Sequence, residues 1–182
     1  MITKESPLKG MSKGTVATVV IREIAGLHSI DLRVSPGTST QAVVVEALGM
    51  DLPEKPGKIG MKSNDEAYAL CLAPDWWLIV GLDEAEQRLT PLRNTHHFSV
   101  VDVSGQRTTI EVEGPKAREV LAHLWEQDLR DKSFPVASVS QGLMAKAPVI
   151  FCHVAPARYR IMVRSSFALH LWKALEDTIS GC

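Results

Sequence analysis

The stretch that decides the fold is CLAPDWWLIVG, residues 71–81, in which two adjacent tryptophans, Trp76 and Trp77, begin an apolar run. The pattern returns in HVAPARYRIMVR, residues 153–164, where Ala-Pro again precedes an apolar run but arginine and tyrosine replace the two tryptophans. Proline fixes its backbone angle φ and suits a turn or the first residue of a strand. Both copies therefore predict a hairpin corner followed by a strand.

The tryptophan pair raises the question of what covers the first of these strands. Side chains alternate between the two faces of a strand, so Trp77 lies on one face and Trp76 on the other, each followed by apolar residues. Tryptophan is enriched at protein interfaces, which makes Trp76 and Trp77 candidates for a partner interface, with burial by the rest of the chain as the alternative. We predict that at least one of them is substantially exposed, and that Arg158 and Tyr159 at the matching positions are more easily left in water.

Each half of the chain predicts the element order ββαβββα. In the first half, Thr38 is suited to cap a helix and Gly49 to end it. The stretches LRVSPGTSTQAVVVEALGMDL and IEVEGPKAREVLAHLWEQDL correspond in the two halves, beyond the repeated Ala-Pro corners. The alternative is that the similarity does not reflect a duplication, because any chain of mixed helices and strands can be divided into segments that look alike.

The repeat predicts an α+β fold of two fused, ferredoxin-like ββαβββα lobes. The predicted boundaries are an N-terminal arm over residues 1–14, a first lobe over 15–94 and a second lobe over 95–182. Residues 15–34 are interpreted as a hairpin within the first lobe.

Composition and charge exclude several functional classes. The chain has 182 residues, of which 45% are hydrophobic, so it can bury a substantial core. A formal net charge of −1 gives no strong field for nucleic acid or an anionic membrane. Cys71, Cys152 and Cys182 are an odd set without a secretory leader, which favours buried, reduced thiols in a cytoplasmic protein. No apolar stretch is long enough to span a membrane.

Residues 100–129, VVDVSGQRTTIEVEGPKAREVLAHLWEQDL, are similar to the aminomethyltransferase-like, folate-binding superfamily in their D-x-S turn and G-P-x-A-x-x-x-L helix. Within that superfamily the chain resembles the gamma subunits of heterotetrameric sarcosine oxidases over nearly its whole length. The shared motifs are SPL at 6–8, PDWWL at 74–78, FP at 134–135, APV at 147–149 and R-x-S-F-A-x-x-L-W at 164–172.

The resemblance implies a non-catalytic gamma subunit, in a cytoplasmic complex with alpha, beta and delta subunits. Such a complex oxidatively demethylates sarcosine to glycine in one-carbon metabolism, using FAD, FMN, NAD and tetrahydrofolate. The resemblance also implies that this chain holds no cofactor itself and is inactive in isolation. Nucleic acid and membranes are not expected as partners.

Asp128 is the one carboxylate for which the resemblance implies a role, because an aspartate at this position lies near the pterin in folate-binding relatives. Gln127 replaces the asparagine that precedes it in the family. The alternatives are a residue that makes local hydrogen bonds at a helix end and, for the whole chain, a stand-alone folate- or pterin-binding module. The sequence has no glycine-rich nucleotide loop, no serine nucleophile motif and no histidine or cysteine spacing typical of a metal site, so no catalytic or metal residue is predicted.

Overall fold

The computed structural model describes residues 5–62 and 67–181. These residues form two compact units, a central unit over Leu27–Ser104 and a flanking unit that joins the residues up to Gly26 to those from Gly105 onward. Each unit contains one antiparallel sheet with its own hydrophobic core cluster. Cys182 and the first four residues of the predicted arm lie outside the described residues.

Eleven strands and four α-helices follow one another along the described chain, with short 3-10 turns at Thr90–Asn94 and Ser165–Phe167. They are β1 (Ser12–Thr15), β2 (Val19–Ile24), β3 (Ser29–Arg33), α1 (Ser39–Leu48), β4 (Ile59–Met61), β5 (Tyr68–Ala73), β6 (Trp76–Val80), α2 (Ala85–Leu89), β7 (Ser99–Asp102), β8 (Arg107–Glu113), α3 (Ala117–Ala122), β9 (Ser138–Met144), β10 (Ala147–Ala155), β11 (Arg158–Arg164) and α4 (Ala168–Gly181).

The repeated order ββαβββα is present, from β2 to α2 and again from β7 to α4. The flanking sheet has the strand order β1-β2-β8-β11-β10-β9, and the central sheet has the order β4-β5-β6-β3-β7. Strands β6 and β11, which follow the two Ala-Pro corners, hold equivalent places, since each lies between the second and the fourth strand of its own repeat. The predicted α+β class is confirmed, and so is the internal duplication.

The two repeats exchange their first strands, which sequence analysis did not predict. Strand β2 pairs with β8 in the flanking sheet, and β7 pairs with β3 in the central sheet. The expected hairpin over residues 15–34 is therefore wrong, and the compact units differ from the predicted lobes over 15–94 and 95–182. Each exchanged strand still turns apolar side chains to a core, with Ile21 opposite Val112 and Val100 opposite Leu32.

The described part of the predicted N-terminal arm is folded into the flanking unit. Leu8 is fully buried in the core of that unit. Strand β1 pairs with β2, beginning with Ser12 opposite Arg22, and the Glu23 amide donates to the Met11 carbonyl oxygen at 3.0 Å. The arm is short and charged in sequence, but the edge of β2 gives its backbone a hydrogen-bonding partner.

Helix α1 agrees with its sequence signals. The Thr38 hydroxyl accepts a hydrogen bond from the Gln41 amide at 3.3 Å, which satisfies one of the free amides in the first turn. Gly49 follows the helix with φ of 64°, a left-handed conformation that favours glycine. The helix packs Val44 and Leu48 into the core of the central unit.

Candidate functional site

Trp77, in the predicted interface pair, belongs to the core of the central unit. Its side chain is fully buried, and its indole N–H donates to the Pro53 carbonyl oxygen at 2.9 Å. In the sheet it lies opposite Leu32 on β3 and Cys71 on β5, both of them also buried. With its apolar surface covered and its polar atom paired, Trp77 offers no surface to a partner in this structure.

Trp76 lies on the opposite face of β6 and is only partly buried. The Arg33 guanidinium covers its ring at 4.6 Å from the ring centroid, in a cation–π contact. Arg33 Nη1 also lies 3.9 Å from Asp75 Oδ1. Neither member of the pair is therefore substantially exposed, and Arg33 on the neighbouring strand lies against the Trp76 ring. The interface role of Trp76 stays a prediction.

The matching residues on β11 are covered to the same degree as the tryptophans. Tyr159 is fully buried and Arg158 is partly buried, so the prediction that these two are more easily left in water is wrong. The Tyr159 ring stacks on Phe151, with centroids 5.6 Å apart, and on His153, with centroids 4.4 Å apart. A tyrosine buries its ring as a tryptophan does, and here its hydroxyl accepts a weak hydrogen bond from Arg118 Nε at 3.4 Å.

The Asp128 carboxylate, the candidate for folate contact, is engaged within its own loop. Oδ1 accepts from the Arg130 amide at 2.9 Å, and the Arg130 guanidinium donates to both oxygens, with Nη2 2.7 Å from Oδ2. The Ser133 hydroxyl donates to Oδ2 at 2.7 Å. These hydrogen bonds from Arg130 and Ser133 hold the pKa of Asp128 well below its usual range. The hydrogen bonds are local, as the alternative interpretation expected, although Asp128 lies in the loop beyond α3 rather than at a helix end. Its contact with folate stays a prediction.

An ionic row in the flanking sheet was missed by sequence analysis. The Glu111 side chain is almost completely buried on β8, where Oε1 accepts from Arg22 Nη2 at 2.5 Å and Oε2 accepts from Arg160 Nε at 2.9 Å. Arg22 Nη2 also lies 2.6 Å from Glu113 Oε2. The register places Arg22, Glu111 and Arg160 side by side on β2, β8 and β11. Removal of one member would leave a buried charge without its partner, so the row ties β2, β8 and β11 together in this register.

Other side chains of types that can act in catalysis or metal binding are also buried. His153 lies between Phe134 and Tyr159, and its Nδ1 donates to the Phe134 carbonyl oxygen at 2.9 Å. Cys71 and Cys152 are buried free thiols, and burial raises the pKa of Cys152 to about 12, so its reactive thiolate is not formed near neutral pH. Within residues 5–62 and 67–181, no group of three histidine, cysteine or acidic residues could hold a metal ion.

None of the helices in the described ranges has the length and apolar character needed to cross a membrane.

In comparison with known proteins, the chain is similar to the gamma subunits of sarcosine oxidases. The sarcosine oxidase, gamma subunit family matches residues 35–181. The sarcosine oxidase subunit gamma of Corynebacterium sp. (strain P-1) is 30% identical over 175 residues, which cover 94% of this chain and 86% of that relative. The corresponding subunit of Corynebacterium sp. (strain U-96) is 30% identical over 165 residues, covering 89% of this chain and 80% of the relative.

Solved structures agree with these relatives. A chain of the heterotetrameric sarcosine oxidase from Corynebacterium sp. U-96, in complex with pyrrole 2-carboxylate, matches with a TM-score of 0.87 and 26% identity over 97% of this chain and 95% of that chain. The glycine cleavage system aminomethyltransferase T from Bartonella henselae matches with a TM-score of 0.61 and 16% identity, over 87% of this chain and 45% of that one. The second match shows a shared fold, the aminomethyltransferase-like fold that the sequence resemblance implied.

Proposed function

Because this chain belongs to the sarcosine oxidase gamma subunit family, we propose that it is the non-catalytic gamma subunit of a heterotetrameric enzyme that oxidatively demethylates sarcosine to glycine. Its proposed partners are alpha, beta and delta subunits. The observation that carries the proposal is the correspondence along nearly the whole chain, with 97% of it matching one chain of a heterotetrameric sarcosine oxidase.

The chemistry of the described side chains supports a structural contribution. The Asp128 carboxylate and the Glu111 row are engaged in internal hydrogen bonds and ion pairs, and the two described thiols are buried and protonated near neutral pH. We therefore assign FAD, FMN, NAD and tetrahydrofolate, the cofactors expected for the complex, to the other subunits. The cytoplasm is the proposed location, and the small net charge of −1 supports an assembly with other proteins rather than with nucleic acid or membranes.

Co-expression tests the proposal directly. This chain is produced with the flavoprotein alpha and beta chains and the small delta chain of the same organism, with an affinity tag on the alpha chain. We expect the chain to co-elute in one copy per complex, with a flavin spectrum and sarcosine-dependent oxygen uptake. Omitting the chain should lower the yield of assembled complex, and the chain purified alone should be colourless and inactive. A complex that assembles and turns over equally well without the chain would contradict the proposal.

The stand-alone folate-binding module is distinguished by a titration. Tetrahydrofolate added to the isolated chain should give no binding heat in calorimetry, because the Asp128 oxygens already accept hydrogen bonds from Arg130 and Ser133. Saturable binding at micromolar concentrations that Asp128→Asn weakens would reverse the ranking of the two functions.

A further inference from the structure

The duplication allows the two sheets to be compared position by position. In the flanking sheet, Glu111 on β8 lies between Arg22 on β2 and Arg160 on β11, which both pair with its carboxylate. The position equivalent to Glu111 in the central sheet is Asp31 on β3, because Leu32 faces Trp77 and Val100 as Val112 faces Tyr159 and Ile21. A carboxylate therefore occupies the same place in both repeats.

The neighbours of the two carboxylates differ. Asp31 lies opposite Leu78 on β6 and Val101 on β7, so apolar side chains stand where the flanking sheet has its two arginines. Asp31 is partly buried. Within the described ranges it has neither a hydrogen-bond nor an ion-pair partner for its side chain. An arginine brought to this carboxylate from outside would form charge-assisted hydrogen bonds with it.

The surroundings of Asp31 are buried on its β6 side, where Leu78 is 2% exposed, and open to water on its β7 side. Val101 is 51% exposed and is one of the few large apolar side chains left in water among the described residues. Trp76 lies on the same face, partly buried, and its indole N–H is covered without a hydrogen-bond partner in the described chain. Strand β7 is the edge of the central sheet, whereas β2, its equivalent, is flanked by β1. We call Asp31, Trp76 and Val101 the β3–β7 surface.

We propose that the β3–β7 surface docks another subunit of the complex, which presents an arginine to Asp31 and apolar side chains to Val101 and Trp76. This inference rests on the proposed function. The flanking sheet shows which group such a carboxylate accepts, since Glu111 is held by arginines. Arginine also suits an interface because its planar guanidinium binds a carboxylate through two hydrogen bonds.

A second copy of this chain is a poorer occupant than a different subunit. A twofold contact between two such surfaces brings the same residues together, so it would place one Asp31 near the other. The cation of this region, Arg33, is already stacked on Trp76 and lies 3.9 Å from Asp75 Oδ1. Among residues 5–62 and 67–181, the carboxylate of this surface therefore has no ion-pair partner, and the neighbouring cation Arg33 is already engaged.

Competition during assembly tests the proposal in the intact complex. Wild-type chain and one variant are co-expressed with the other three subunits, and the complex is purified through a tag on one of those. Intact mass spectrometry then gives the ratio of variant to wild type in the complex, relative to the soluble fraction. We expect Asp31→Arg to be depleted about tenfold or more, and the isosteric Asp31→Asn to be depleted about threefold. Asp83→Arg, the same charge change at an exposed carboxylate of the central unit, should be incorporated like wild type.

A second variant separates docking from folding. Val101→Arg rebuilds the arrangement that Arg22 makes with Glu111, so the new guanidinium should satisfy Asp31 within the chain. The isolated variant should be at least as resistant to urea as wild type and yet be depleted from the complex about tenfold. A residue with only a structural role would not give greater stability together with weaker assembly.

Three results would overturn the inference or its basis, and they can be told apart. If Asp31→Arg and Val101→Arg are incorporated like wild type, the β3–β7 surface does not dock a subunit. If sedimentation shows a dimer of this chain that Asp31→Arg dissociates, the occupant is a second copy. If the wild-type chain does not join the complex at all, the proposed function itself fails, whatever the variants do.

Discussion

The flanking and central sheets carry similar residues on the face that lines the core and different residues on the opposite face. On the core-facing side, Tyr159 of the flanking sheet and Trp77 of the central sheet are both fully buried aromatic residues. On the opposite side, the flanking sheet has the ion-paired Glu111. The central sheet has Asp31, without an ion-pair partner among the described residues, between the buried Leu78 and the exposed Val101. Close packing constrains the core face of a duplicated sheet, whereas the second face is free to diverge into an internal ion network or a docking surface.

The largest expected difference in stability is between variants of the two adjacent tryptophans. Trp77→Ala should lower the free energy of unfolding by about 4 kcal/mol, since it removes a fully buried ring and leaves a cavity. Trp76→Ala should cost about 1 kcal/mol, because that ring is partly exposed. Urea unfolding of the isolated chain, followed by circular dichroism, measures both. Equal losses for the two variants would show that the two faces of β6 are not distinct in the way described.

The two carboxylates should respond differently to removal. Glu111→Ala leaves Arg160, a largely buried cation, without this partner and should cost about 3 kcal/mol, with the exposed Arg22 contributing less. Asp31→Ala removes no ion pair and should change the unfolding free energy by no more than about 0.5 kcal/mol. The same urea measurement applies. A loss at Asp31 as large as that at Glu111 would mean that Asp31 is held within the chain after all.

A smaller change in stability is expected when Val101 of the central sheet is replaced by arginine, the residue at the equivalent position 22 of the flanking sheet. Val101→Arg in the isolated chain should raise the free energy of unfolding by about 0.5 kcal/mol, the usual contribution of a partly exposed ion pair. The gain should disappear in the double variant Asp31→Asn with Val101→Arg and should decrease in high salt. A gain that survives both changes would come from something other than the new pair.

The smallest effect is expected for labelling of the two buried thiols in the native chain. Cys71 lies in the central sheet and Cys152 in the flanking sheet. Burial raises the pKa of both Cys71 and Cys152, the latter to about 12. In a Cys182→Ser background, Ellman's reagent at pH 8 should therefore react slowly with the native chain and rapidly with both thiols after unfolding. Because the folded-state pKa of Cys152 is raised, its contribution to stability is fully present below the unfolded-state pKa near 9 and is lost as pH rises toward 12. Fast labelling of the native chain would contradict the burial.

Much of the fold could be predicted because its signals are local. The Ala-Pro corners, the helix cap at Thr38 and the terminating Gly49 each depend on a few adjacent residues. The exchange of β2 and β7 could not be predicted, since the apolar pattern of either strand fits both sheets and the choice depends on pairing between distant segments.

The candidate site was only partly visible in the sequence for a related reason. Trp76 was identified, but its cover, Arg33, lies across a strand pair and depends on register. Asp31 looks like an ordinary polar residue of an alternating strand until its equivalence with Glu111 is known. The consecutive valines of SVVD in β7 were the available signal, because an edge strand with one wet face would normally carry a polar residue at Val101.

Hydrogen–deuterium exchange of the chain, free and within the assembled complex, tests the central claim most directly. The claim is that assembly uses the β3–β7 surface of the central sheet and not the equivalent surface of the flanking sheet. We predict that exchange slows on assembly in peptides covering Ser29–Arg33 and Ser99–Asp102, and stays unchanged in those covering Val19–Ile24 and Arg107–Glu113. Slowing confined to the flanking strands, with β3 and β7 unchanged, would contradict the account.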